Sequence, residues 1–231
     1  MKIIKVKNPQ EGIEVCKKLL YEIISKNTVL FLSGGSTPKV LYEQLAKENK
    51  LKAGAVSLVD ERYGNKSHEN SNEKMIQDAG LIQYLEQDKT RFYPILQGES
   101  IEKTASDYDE AVRYLFSYFK NSVGILGVGV DGHTAGIPAI AEISQKILND
   151  KSSLVTSYDN QDSFYKQRIT LTFLGLSKLD KIIVLVFGED KKKALRLMFK
   201  EGLVSEIPSR FLTQPEITNK VILITDQKIK I

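Results

Sequence analysis

Short, nearly unbroken apolar runs recur along the chain, and between them apolar residues return at helical spacing. The runs KIIKV (2 to 6), TVLFL (28 to 32), AVSLVD (55 to 60), VGILGVG (123 to 129), RITLTF (168 to 173), KIIVLVFG (181 to 188) and KVILIT (220 to 225) predict strands. After the first run, Ile13, Cys16, Leu20, Ile23 and Ile24 share one helical face, and Pro9 suits the first turn of that helix. Thr37-Pro38 opens a second helix, with Val40, Leu41 and Leu45 turned inward. Ile101, Ala105, Tyr108, Val112, Leu115 and Phe119 mark a third, and Ala194, Leu197 and Met198 a fourth that ends at Gly202. Strands without polar alternation belong to a mostly parallel sheet covered by helices on both faces, so the expected class is α/β. No internal repeat or Pro/Gly/Ser-rich linker divides the sequence, and a single domain over residues 1–231 is expected.

Composition narrows the function rather than the fold. Lys and Arg number 33 against 29 Asp and Glu, a net charge of +4, and the longest basic block is Lys191-Lys192-Lys193. That is no footprint for nucleic acid, but it leaves room for a small anion. The single Cys16 excludes an intramolecular disulfide, and with two histidines there is no zinc-type spacing. No apolar run approaches membrane-spanning length and no secretory signal opens the chain, so a soluble, cytoplasmic protein without membrane contact is expected.

In a parallel α/β sheet, ligands lie beyond the C-terminal strand ends, which draws attention to three loops. The first, Ser33-Gly34-Gly35-Ser36-Thr37-Pro38, joins a strand to a helix start. Glycines there allow close backbone approach, and the helix N-terminus favours an anion such as phosphate, although a plain turn capped by Thr37 would look the same. It is neither G-x-G-x-x-G nor a Walker loop, so dinucleotide and ATP binding find no support. The second, Asp60-Glu61-Arg62, offers acids for sugar hydroxyls and a guanidinium fork for an anion, or else a surface ion-pair cluster. Ser71-Asn72 closes this loop, and His68 within it reads as solvated. The third, Gly127-Val128-Gly129-Val130-Asp131-Gly132-His133-Thr134-Ala135, sets an acid two residues before a histidine. A bend at the glycine lets the carboxylate of Asp131 fix the His133 tautomer and makes the imidazole a general base; the alternative is a structural histidine.

Taken together, the segments FLSGGSTPKVLYEQL (31 to 45), VDER (59 to 62) with SN (71 to 72), GVGVDGHTA (127 to 135), RITLTF, GEDK (188 to 191) and IPSR (207 to 210) resemble the 6-phosphogluconolactonases, part of a wider group with glucosamine-6-phosphate deaminases and a Rossmann-like sheet. The resemblance implies hydrolysis of 6-phosphogluconolactone in the pentose phosphate route without a metal or organic cofactor. It places the phosphate on Gly34, Gly35, Ser36 and Thr37, with Arg168 and Lys191 closing around it, Asp60 and Arg62 on the substrate, and Asp131 orienting His133. Arg168 and Lys191 would otherwise read as strand-end charges. Two features depart from the lactonase pattern. Gly136-Ile137-Pro138 stands where Ser-Leu-Phe-Pro is usual, and Gly64-Asn65 replaces a valine-proline pair. A deaminase would carry Glu five residues after the histidine, where this chain has Pro138, and Tyr after Asp-Glu, where it has Arg62. A sugar-phosphate-binding protein without turnover is the remaining alternative.

Overall fold

The computed structural model describes residues 1–161 and 163–228. In chain order the elements are β1 (Lys2–Lys5), α1 (Pro9–Ile23), β2 (Thr28–Leu32), α2 (Ser36–Glu48), β3 (Ala55–Leu58), β4 (Asp60–Arg62), α3 (Asn72–Asp78), α4 (Leu81–Gln87), β5 (Arg91–Tyr93), α5 (Ile101–Tyr118), β6 (Asn121–Gly127), α6 (Ala141–Asn149), β7 (Val155–Asp159), β8 (Gln167–Leu171), α7 (Phe173–Ser177), β9 (Lys181–Val186), α8 (Lys192–Phe199), α9 (Pro215–Thr218) and β10 (Val221–Thr225). Among the described residues, seven strands pair in the order β1-β10-β9-β6-β2-β3-β5, every neighbour parallel. All five residues of β2 are buried, as expected for a strand covered on both faces. The covering helices start where side chains satisfy their first amides: Asn8 caps α1, Ser100 caps α5 and Thr172 caps α7. Cys16, within this core, has its thiol pushed up to about 12 by burial, which leaves it an inert packing residue. No helix among the described residues is long and apolar enough to cross a membrane.

From β2 the chain moves to β3 on one flank and later returns to β6 on the other. The strand order therefore reverses between β2 and β6, and the loops leaving these two strands splay apart to open a crevice at their C-terminal ends.

Several expectations change. RITLTF does not join the parallel sheet: its strand β8 is the middle of a separate antiparallel sheet, β4-β8-β7, and Thr172 and Phe173 have already turned into α7. AVSLVD is likewise shared between the sheets, ending one at Leu58 and beginning the other at Asp60. Val59 is the joint, its N–H donating to Leu32 O at 2.8 Å and its carbonyl accepting from Leu171 N at 2.9 Å. Buried apolar runs look alike in either setting, so composition alone did not separate them. Val40 faces outward at 40% exposure, one step off the stripe formed by Leu41 and Leu45. The fourth helix stops at Phe199 rather than Gly202.

Candidate active site

A cleft of about 300 Å³ opens at this crevice, lined by Gly34, Gly35, Ser36, Thr37, Asp60, Arg62, His133, Arg168 and Lys191. Every residue expected at the site is thus brought together, except that Asp131 lies off the lining and reaches the cleft through His133. Residues more than a hundred positions apart in sequence meet because both sheets end here.

The glycine-rich loop follows from β2. Tyr42 donates to Ser33 O at 2.9 Å and anchors the strand end. Gly35 then takes φ 114°, a conformation open to glycine, and begins α2 directly. Thr37 is therefore not the cap. Ser36 opens the helix, no side chain caps it, and its first-turn amides are left for a ligand at the positive end of the helix dipole.

The DER segment divides its labour. Asp60 is buried and pairs with Arg168 Nη1 at 3.2 Å, so it is no surface ion pair. Arg62 lies with its guanidinium 4.6 Å above the Tyr165 ring, which Arg168 approaches at 5.9 Å. Tyr165 in turn ties to Asn70 Oδ1 at 3.0 Å. Neither Tyr165 nor Tyr158, whose hydroxyl donates to Gly136 O, was marked by any motif. Tyr158 could have been found from strand pairing, since it stands opposite Arg168. His68 is not free in solvent: its Nε2 lies 2.9 Å from Arg62 O.

Glu61 turns away from the cleft. It is fully buried and accepts from the backbone N–H groups of Arg62 (2.7 Å), Asn72 (2.7 Å) and Glu73 (2.9 Å), binding β4 to the start of α3. Burial pushes its carboxyl up to about 7 against the pull of these donors. Its folded value exceeds the unfolded one, so unfolding releases a proton between pH 4.5 and 7. This contribution to stability is whole below 4.5 and is lost as pH rises through 7. The denaturation midpoint of wild type minus that of Glu61→Gln is expected to fall from pH 5 to pH 8; a constant difference would refute the assignment.

Around His133 the backbone is tightly determined. Its Nδ1 lies 2.6 Å from Asp131 Oδ1, and its N–H also donates to that oxygen at 3.1 Å. The hydrogen bond from His133 holds the Asp131 carboxyl down at about 2. An ionised carboxylate only accepts, so Nδ1 carries a hydrogen, and in the neutral imidazole the lone pair is then on Nε2. The pair rests on Gly129, where an added Cβ would lie 2.1 Å from both Nδ1 and Cε1 of the ring. Gly129→Ala should therefore displace the imidazole and lower kcat at least about tenfold while the chain still folds, as steady-state rates and thermal denaturation would show. From below, Ser209 N donates to Gly132 O at 3.0 Å, and Arg210, 6% exposed, bonds to Leu203 O and Leu197 O. The IPSR segment thus supports the loop and does not face the cleft.

An uncapped helix start, a carboxylate-held imidazole and several cationic side chains thus line one cleft at the switch point of a parallel sheet in an α/β protein. The family model described as "Glucosamine-6-phosphate isomerases/6-phosphogluconolactonase" matches residues 11–222, and the chain belongs to this family. A Helicobacter pylori 6-phosphogluconolactonase is 30% identical, with 91% of this chain and 94% of the relative aligned. A Clostridium perfringens glucosamine-6-phosphate deaminase is 27% identical over 98% of this chain and 97% of its own length. The crystal structure of a Shewanella baltica 6-phosphogluconolactonase superposes with a TM-score of 0.80, covering 97% of each chain at 21% identity, which speaks to the fold.

Proposed function

We propose that the protein is an enzyme that hydrolyses 6-phosphogluconolactone to 6-phosphogluconate. The observation that carries this is the Asp131–His133 pair on a cleft whose other wall is the uncapped start of α2. His133 Nε2 takes a proton from water, the hydroxide attacks the lactone carbonyl, and the tetrahedral oxyanion collapses with cleavage of the ring C–O bond. The imidazolium returns the proton to the departing oxygen, so base and acid are one residue. The substrate's phosphate sits on the amides of Gly34, Gly35, Ser36 and Thr37, with Lys191 and Arg168 adding charge. Arg62 faces the anionic end that the carboxylate product acquires, and Asp60 accepts from a sugar hydroxyl.

Deamination is disfavoured by two positions. The proton-shuttling Glu of that pattern falls on Pro138, which has no titratable group, and Arg62 stands in place of its Tyr. Purified protein should consume freshly made 6-phosphogluconolactone faster than it hydrolyses spontaneously and release no ammonia from glucosamine 6-phosphate. Ammonia release alone, or acceleration of neither reaction, would overturn the reading.

A further inference from the structure

Two polar atoms beside the phosphate cradle make no hydrogen bond of standard geometry, the Ser33 side chain standing only near the Tyr42 hydroxyl. Ser33 is 5% exposed and Asn72 1% exposed, both border the cleft, and Ser33 Oγ and Asn72 Oδ1 are buried without a hydrogen bond. The orientation of Asn72 is fixed, because its Nδ2 donates to Asp60 O at 2.8 Å and a flipped amide would set oxygen against oxygen. Its Oδ1 is thereby pressed toward Gly34, where an added Cβ would be only 2.0 Å away, one residue from Ser33. Buried polar groups are normally paired, and an orphan donor or acceptor on a cleft wall is a group waiting for a ligand.

We propose that Ser33 and Asn72 form a subsite that reads hydroxyl groups on the carbon chain of the substrate. The chemistry of the two atoms selects this ligand. Asn72 Oδ1 only accepts, so a phosphate dianion, which has no hydrogen to give, is repelled there; a hydroxyl both gives and receives and suits the acceptor and the Ser33 hydroxyl alike. The phosphate is served instead by the α2 amides and Lys191. This inference rests on the sugar-phosphate reading above but not on turnover.

The test is calorimetric binding of 6-phosphogluconate, glucosamine 6-phosphate and inorganic phosphate to wild type and to Ser33→Ala, alongside lactone turnover and thermal denaturation. Because Ser33 Oγ makes no hydrogen bond of standard geometry and only stands near the Tyr42 hydroxyl, Ser33→Ala should leave Tm nearly unchanged. It should weaken the best-bound sugar phosphate about 3- to 10-fold, the range for one neutral hydrogen bond, and leave inorganic phosphate unchanged. Asn72→Ala should repeat that pattern with a lower Tm, from the lost bond to Asp60 O. Equal weakening of all three ligands by Ser33→Ala would make Ser33 a phosphate ligand and overturn the proposal, as would no change in any of them. A clear drop in Tm would overturn it too, by revealing a structural partner. Wild type that binds sugar phosphates selectively but does not hydrolyse the lactone would defeat the enzymatic reading and leave the subsite standing. Wild type that binds no sugar phosphate better than inorganic phosphate would defeat both.

Discussion

Replacing His133 with alanine is expected to lower kcat for 6-phosphogluconolactone by about 10²- to 10⁴-fold, the usual range for a lost general base, while 6-phosphogluconate still binds within a few-fold of wild type. The expectation follows from the hydrogen-bond chain. Asp131 is ionised well below neutrality and holds Nδ1–H, which in the neutral imidazole leaves Nε2 for the base role proposed above. The side chain is about half exposed, so truncation opens no core cavity and stability should be unaffected. Single-turnover rates, corrected for the lactone's own hydrolysis, give the answer. Near-normal kcat in this variant would reduce the dyad to a structural turn.

The second large effect concerns the phosphate. Unphosphorylated gluconolactone should be turned over with a kcat/KM at least about 10²-fold below that of its 6-phosphate, since charge-assisted hydrogen bonds contribute roughly 1.5–3 kcal/mol each and several are forfeited together. Lys191→Ala should shrink this preference mainly through KM if the contact is equal in ground and transition states. Arg168→Ala is a less clean probe, because it also strands the buried carboxylate of Asp60 and should destabilise the fold. Equal efficiency of wild type on both lactones would mean that the glycine-rich loop is only a turn.

The strands that cross the core were readable because burial on both faces imposes unbroken apolar runs, as in β2 and β9. What that signal cannot carry is the partner of a run: β8, with its buried Ile169, Thr170 and Leu171, matches a parallel strand in composition but pairs antiparallel. Helices α3 and α4 span seven residues each, too few turns for a period to emerge, and β7 is half polar at the rim of its sheet. The candidate residues that the structure gathers in one cleft were legible where they sit on loops after strong strands. Glu61 was misread because a carboxylate that satisfies backbone amides has the same sequence appearance as one that faces a substrate. Tyr158 is placed by strand register opposite Arg168, whereas Tyr165 lies before β8 and meets Arg62 only through the tertiary fold.

The joint at Val59 has an evolutionary consequence. Asp60, Arg62 and Arg168 ride on the small sheet, whereas the helix start and the base ride on the large one, and each sheet has its own hydrogen-bonded ladder. The small-sheet part of the proposed sugar-binding set and the proposed base thus stand on separate frames that the chain joins at Val59. Drift in the hairpin carrying Arg168 and Tyr165 can change which sugar phosphate is held, provided that the bonds from Tyr158 to Gly136 O and from Thr170 to Ala135 O, beside the imidazole loop, are kept. Divergence of substrate within such a lineage is expected to accumulate in the small sheet first, with the parallel core changing last.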